Sequence, residues 1–253
     1  MNVTNADECS SMIKEIYGTD LTADRGVVQV TSVWAESVRS LKTLTIQEGT
    51  PESPTDSFAL SVARARADVI LTTGKILRDE PQVTHELKAP VLDALLEWRR
   101  ERLGKAAPPV SAVLTSGREL DFEHPLFRSS SRTIVLTTDE AAERLDGQGG
   151  DSVEVVGRSW PGIRDAVTYL RENRGFGTVV IEAGPSTSRT LYEPPVAVDE
   201  LMLSVFRESR LPSSARGSLF FSPQDLGLFF PMARSNHSLK EESGLWSFHR
   251  YRR

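Results

Sequence analysis

A single cysteine, Cys9, and four scattered histidines are all that this 253-residue chain offers a disulfide or a soft metal. One thiol cannot close an internal disulfide, build a Cys-x-x-Cys zinc clip or hold an iron–sulfur cluster. His85, His124, His237 and His249 stand in no His-x-x-x-His or His-x-Glu spacing, so no histidine-built metal site is expected. The Gly-x-Ser-x-Gly elbow and the Walker loop are also missing, which removes the familiar signatures of serine hydrolysis and P-loop phosphate chemistry. No apolar run approaches the roughly 18 residues of a membrane span, so no membrane partner is expected. The opening residues, with Asp7 and Glu8 and no apolar block, do not read as a signal peptide, and the expected location is cytoplasmic. A net charge of -5 with scattered Lys and Arg argues against nucleic acid as a partner. What these absences leave is chemistry carried by a bound cofactor and a small-molecule substrate, for which the protein supplies position and electrostatics.

What is present is an ordinary globular composition, 39% hydrophobic and 26% charged, with ample chain for one large core. Residues 1–25 read as a polar leader with one short helix around Ser11 to Tyr17, and residues 26–253 as a single domain. Val27, Val28, Val30, Ser32 and Trp34 alternate as a strand. A breaker-rich loop over 47–57 precedes a helix with Phe58, Val62 and Ala65 on its inner face, then the apolar strand Val69-Ile70-Leu71. Leu92, Leu95, Leu96 and Leu103 mark another helix, followed by strands at Val110 to Thr115 and Thr133 to Leu136. Thr137-Thr138-Asp139-Glu140 reads as a capping box. Val153 to Val156 is a further strand, Ile163, Ala166, Val167 and Leu170 line a helix, and Glu200 to Phe206 extends the sheet. The 212–217 stretch reads as a loop, and 232–251 as an antiparallel hairpin. Strands alternating with helices predict an α/β fold with a mostly parallel sheet and an antiparallel C-terminal finish.

The most informative stretch runs from 178 to 191, Thr-Val-Val-Ile-Glu-Ala-Gly-Pro-Ser-Thr-Ser-Arg-Thr-Leu. A short apolar strand leads straight into Glu-x-Gly-Pro and a hydroxyl-rich helix start. Gly184 offers backbone angles closed to other residues, and Pro185 suits the first helical position, where no N–H is needed. Ser186, Thr187 and Ser188 add hydroxyls beside the free N–H groups of a helix N-terminus, which carries about half a positive charge. A diphosphate fits this description, and so does a ligand-free strand, turn and capped helix.

Four segments in order resemble the reductase domain of riboflavin biosynthesis, the dihydrofolate reductase-like domain at the C-terminal end of bifunctional deaminase-reductases. They are Ala67 to Thr84 with its Arg78-Asp79-Glu80-Pro81 core, Leu120 to Phe127, Glu182-Ala183-Gly184-Pro185, and Val198-Asp199-Glu200-Leu201. The resemblance spans Val27 to Tyr251 and implies a three-layer dihydrofolate reductase-like fold, a homodimer, and NADPH-dependent reduction of the ribosylamino group of a pyrimidine ribose 5-phosphate to a ribitylamino chain. It implies that Gly184, Pro185, Ser186 and Thr187 meet the cofactor diphosphate, that Lys75 and Asp79 lie at the cofactor, and that Ala35 packs near the nicotinamide. Ser116, in Ser116-Gly117-Arg118, stands with Arg118 where a 2′-phosphate would sit; an exposed turn is the other reading. Glu182 faces the substrate hydroxyls or helps deliver a proton, or else is a buried carboxylate that caps nearby N–H groups.

The resemblance departs at Glu36-Ser37-Val38-Arg39-Ser40-Leu41, where the family's Ser-Leu-Asp-Gly keeps only its serine, here Ser37, as a substrate contact. At His85-Glu86 the family often has an arginine that grips the sugar phosphate, and Arg64 or Arg66 on the preceding helix is the compensating cation. No His-x-Glu with Pro-Cys-x-x-Cys is present, so the deaminase half is not in this sequence. Two rival functions share these residues: another NAD(P)H reductase on the same fold acting on a related polar substrate, and a protein that keeps the fold for binding or assembly without catalysis.

Overall fold

The computed structural model describes every residue except 1, 2, 24, 88, 89, 119, 130, 159–161 and 232, and describes 233–235 by backbone alone. Its first helix is α1 (Ala6–Tyr17), then come β1 (Gly26–Ser37), β2 (Ser40–Leu44), α2 (Pro54–Arg66), β3 (Val69–Thr73), α3 (Gly74–Asp79) and α4 (Leu92–Leu103). The middle of the chain gives β4 (Val110–Leu114), α5 (Pro125–Arg128), β5 (Thr133–Thr138), α6 (Asp139–Leu145), β6 (Val153–Arg158), α7 (Ile163–Thr168) and β7 (Thr178–Ile181). The last part gives α8 (Pro185–Ser188), β8 (Glu200–Phe206), β9 (Arg216–Leu219), α9 (Pro223–Phe229), β10 (Ala233–Glu241) and β11 (Gly244–Arg252).

One sheet runs β10-β11-β8-β1-β7-β3-β4-β5-β6, with β2 pairing on β1 and β9 on β2. From β8 to β6 the neighbours are parallel, as runs such as Val69-Ile70-Leu71 buried on both sides demand. The hairpin β10–β11 joins antiparallel to β8 and supplies the expected antiparallel finish. Strand alternation sends Val28, Ile70, Val180 and Met202 into a core shared with α1, α2 and α4 on one face. It sends Val27, Leu71, Ile181 and Leu203 into a core shared with α7 on the other. Helices on both faces of a mostly parallel sheet make the three-layer α/β architecture that the sequence led us to expect.

Several boundaries differ from expectation for identifiable reasons. The short helix expected around Ser11 to Tyr17 is present as α1 but starts earlier, at Ala6, and Ala6, Cys9, Ile13, Ile16 and Tyr17 recur at helical spacing to give it a buried side in the first-face core. Helix α2 begins at Pro54, inside the supposed loop, because Ser53 caps Asp56 N–H and a proline is at ease in the first turn. The expected capping box slips by one residue: Thr138, not Thr137, caps α6 by accepting from Ala141 N–H. Within 212–217 the chain enters the edge strand β9, whose short exposed Arg-Gly-Ser-Leu carries no alternation and is held by pairing with β2. Trp246 and Phe248 of the terminal hairpin are wholly buried in the first-face core. Among the described residues, no helix is long and apolar enough to cross a membrane, and no group of three or more His, Cys, Asp or Glu is placed to hold a metal.

Candidate active site

Strand β7 stops at Ile181, beside Leu71 near the end of β3 and Gln29 early in β1, and β1 runs on to Ser37 beyond it, at the carboxyl edge where open α/β sheets place their ligands. In β7, Val179 and Ile181 serve the second face and Val180 the first, so alternation brings Glu182 back to the first face beneath α2. Arg64, near the end of α2, meets it there in a two-pronged pair, Nε to Oε1 and Nη2 to Oε2, each 2.7 Å. Arg64 Nη1 also donates to the Glu86 carbonyl at 3.3 Å. Burial pushes the Glu182 carboxyl up, but the Arg64 charge and its hydrogen bonds outweigh that and hold it below the ordinary value. Both partners therefore stay ionised, and the guanidinium charge is matched where it lies.

Arg64 forms one wall of a cavity of ≈ 670 Å³ between α2 and the chain that follows α3. Phe58, Val83 and Val91 are among its apolar lining residues, and Asp79, Glu80 and Glu86 among its acidic ones. Asp79 is paired with Lys75 one helical turn earlier, and both side chains are more than half exposed. Glu80 is raised from the ordinary carboxylate value, first by burial and then by the neighbouring charges of Glu182 and Asp79. His85 lies just behind, buried, with Nδ1 2.9 Å from Ser111 Oγ on β4. Burial pushes its imidazole down to about 4 despite the pull of Glu182, so it is neutral at physiological pH.

The second face carries the turn after β7. Gly184 sits at φ −62° and ψ 159°, angles open to any residue and favoured before proline, so the special backbone freedom expected of it is not used. A Cβ added there would meet nothing within 4 Å, which leaves open space in front of the turn. Pro185 does start the helix, but α8 is a single turn and brings little macrodipole, so local N–H and hydroxyl groups must carry any anion binding. Ser186 is exposed and Thr187 half-buried at that opening. Ser188 is fully buried instead, and its Oγ accepts from Gln29 Nε2 at 3.1 Å while Gln29 Oε1 accepts from Tyr192 at 2.6 Å. Arg189 stacks on Phe221, 5.1 Å from the ring centroid, and adds positive charge just beyond.

Arg64, Glu182, Asp79 and Lys75 thus come together on the first face, while Gly184 to Thr187 share the second with Ala35, half-buried near the end of β1. Ser37 is the last residue of β1, where its Oγ accepts from Arg39 N–H in the β1–β2 turn, and it does not line the cavity. Ser116 is exposed in the turn after β4, beside Gly117, whose φ of +77° is the positive value that glycine permits. Arg66 is not a second cation at this site: its fork closes on Glu200 at 2.8 and 2.9 Å inside the first-face core. Glu80 and His85 were not anticipated as site residues. The signal for Glu80 lay in the Asp79-Glu80-Pro81 run, but His85 is defined by a contact with Ser111 that spacing does not announce.

No protein-family model matches this sequence, and no curated protein matches it either. Solved structures with a similar fold include a pyrimidine reductase-like protein from Corynebacterium diphtheriae, with a TM-score of 0.61, 20% identity and 98% of both chains covered. Another is the riboflavin biosynthesis reductase Rib7 of Saccharomyces cerevisiae, at TM-score 0.56 and 14% identity over 97% of this chain and 99% of that one. Acinetobacter baumannii RibD matches at 0.58 and 13% identity over 90% of this chain but 58% of its own. From end to end, then, the chain carries the fold of the pyrimidine and riboflavin biosynthesis reductases.

Proposed function

We propose that this protein is an NADPH-dependent reductase of the riboflavin-reductase type, acting on the ribosylamino group of a pyrimidine ribose 5-phosphate or on a related polar heterocycle. The observation that carries the reading is the carboxyl-edge crevice, with an acid-lined cavity on one face and an open Gly-Pro turn on the other, in a fold matched over its whole length by a pyrimidine reductase-like structure. The residues present suit a dinucleotide: Gly184 leaves room for a diphosphate against the main chain, Ser186 and Thr187 offer hydroxyls, and Arg189 offers charge. When bound, the nicotinamide supplies a hydride to the sugar carbon that bears the amino group.

The chain's own part is to hold the substrate and to manage one proton. As the hydride arrives, the bond from that carbon to the ring oxygen breaks, and the oxygen takes a proton to become a hydroxyl. Glu182, held ionised by Arg64, is a poor donor and serves as an anchor for hydroxyl groups. Glu80, with its raised proton affinity at the cavity wall, is the better source. Apolar walls exclude water, and correct placement of the reacting carbon supplies several kcal/mol of barrier lowering, about 7–11 at best.

The test is a titration of the purified chain with NADPH followed by nicotinamide fluorescence, then cofactor oxidation with a panel of ribosylamino-pyrimidines and related polar heterocycles. Saturable binding and turnover are expected. No binding at millimolar cofactor sinks the reading and favours a protein that keeps the fold for binding or assembly.

A further inference from the structure

Glu80 is the residue at which α3 ends, its N–H still bonded to the Ile76 carbonyl at 2.8 Å. The chain then turns, with Val83 N–H donating to the Glu80 carbonyl at 3.0 Å, and Pro81, Gln82, Val83 and Thr84 line the cavity from a segment that is neither helix nor strand. A side chain on such a corner is placed less firmly than one within a helix or strand, so contacts from elsewhere in the fold must hold it. His124, just before α5, makes one. It is buried, its ring edge-on to Phe127 with centroids 6.5 Å apart, beside a small core that Leu77, Leu126 and Phe127 share with Val83. Its Nδ1 lies 3.2 Å from Leu126 N, and a backbone N–H only donates, so Nδ1 carries the lone pair and the proton sits on Nε2. Nε2 in turn lies 3.3 Å from the Glu80 carbonyl oxygen, which only accepts and has a second lone pair for the purpose. One tautomer thus satisfies both contacts, capping α5 with one nitrogen and holding the corner at Glu80 with the other.

We propose that His124 is a positioning residue for the reductase: its Nε2–H holds the Glu80 carbonyl and thereby fixes the Glu80 carboxyl at the cavity wall from which the proton is delivered. The inference rests on the reductase reading in taking Glu80 as the proton source. His124 does not itself line the cavity, so its effect reaches a substrate through Glu80.

The two nitrogens can be removed separately. Asparagine places its amide where Nδ1 stands and is a good cap, but falls short of Glu80; glutamine reaches the place of Nε2 and leaves Leu126 N–H uncapped. A residue kept for capping alone makes the asparagine variant the healthier in every assay. Positioning reverses the order for activity. His124→Asn is expected to melt with the wild type yet turn over about 10–100-fold more slowly, with KM for NADPH unchanged. His124→Gln is expected to melt about 2–4 °C lower and to keep turnover within about threefold of the wild type. The pH profile follows the same split. Burial, Glu182 and Asp79 raise Glu80 while Arg64 lowers it, and a proton donor is spent as pH climbs through its folded value. Releasing the corner to water moves that value back towards 4.5, so the alkaline fall in kcat is expected at lower pH in His124→Asn and in place in His124→Gln.

Turnover is followed as NADPH oxidation with the member of the ribosylamino-pyrimidine panel that the wild type reduces, and carbon NMR titration of the Glu80 carboxyl reads the hold without turnover. Equal loss of turnover in the two variants, or a slower glutamine variant, overturns the proposal, as does a Glu80 titration that His124→Asn leaves in place. A wild type that neither binds NADPH nor reduces the panel, but whose Glu80 titration moves in His124→Asn, defeats the reductase reading and leaves the hold on Glu80 standing. Reduction by the wild type with turnover and titration both indifferent to His124→Asn defeats the positioning inference alone.

Discussion

At the residue scale the site is organised by one ion pair and one neutral histidine. Arg64 and Glu182 are both largely buried, so removing either leaves a charge with little water to solvate it. Arg64→Met is expected to lose about 3–5 kcal/mol in urea unfolding, and adding Glu182→Gln to recover much of that loss. Recovery of nothing contradicts the pairing. His85 gives a pH signature. Its folded value of about 4 lies below the ordinary 6.5, so the unfolded chain binds the extra proton between those limits and stability rises with pH across that window. The full effect is about 3 kcal/mol. Glu80 and Asp56, both raised, work in the opposite sense, since their contribution is lost as pH climbs through their folded values. The informative quantity is therefore the difference between wild type and His85→Gln: the wild-type advantage is expected to shrink as pH falls from 6.5 towards 4. A constant difference rules out a neutral buried His85.

At the element scale, two glycines that look alike in the sequence have opposite demands. Gly117, after β4, has φ +77°, and a Cβ there would lie 2.3 Å from Ala141 Cβ on α6. Gly117→Ala is expected to cost more than about 1 kcal/mol. Gly184→Ala, at ordinary angles with open space ahead, is expected to leave stability unchanged or up to about 1 kcal/mol higher. Any loss of NADPH binding in Gly184→Ala then reports close approach of the cofactor to that turn. Thermal unfolding beside a fluorescence titration reads both effects. Helix α1 yields a third test: Ile13, wholly buried in the first-face core, is expected to lose about 2–5 kcal/mol on replacement by alanine. A loss below about 0.5 kcal/mol marks the opening segment as dispensable to the fold.

These elements also show what the sequence makes legible. Strand β8 coincides with the apolar Glu200 to Phe206 run, and β3, β4 and β5 follow similar runs, because burial on both faces leaves a composition signal inside a short window. Strand β9 leaves none, since it is exposed and defined by a partner in β2 far along the chain. The site divides in the same way. The Glu182 to Thr187 turn and Asp79 announce themselves by type and order. The Arg64 to Glu182 pair, 118 residues apart, settles which carboxylate stays ionised and becomes visible only once α2 lies over β7.

At the scale of the whole molecule, a second buried ion cluster ties the hairpin to the parallel sheet. Glu200, on β8, accepts from Arg66 of α2 at 2.8 and 2.9 Å and from Arg250 of β11 at 3.1 and 3.3 Å, so one carboxylate joins a helix, a central strand and the antiparallel extension. Burial pushes that carboxyl up, but the two guanidinium groups outweigh it and hold it at about 2, against an ordinary 4.5. A depressed folded value means that the stabilisation is fully present above about 4.5 and is lost as pH falls towards 2, worth about 3 kcal/mol in total. Glutamine copies the protonated carboxyl in shape but takes away the charge that both arginines share. Glu200→Gln is therefore expected to unfold about 3–5 kcal/mol more easily at neutral pH. Its deficit should close as the wild type is itself protonated between 4.5 and 2. Because the cluster spans the junction between β8 and the hairpin, hydrogen exchange in Glu200→Gln should rise first in β11 and only later in β3 to β5. Uniform loss of protection across the sheet shows instead that the cluster secures global stability and gives the hairpin no separate hold.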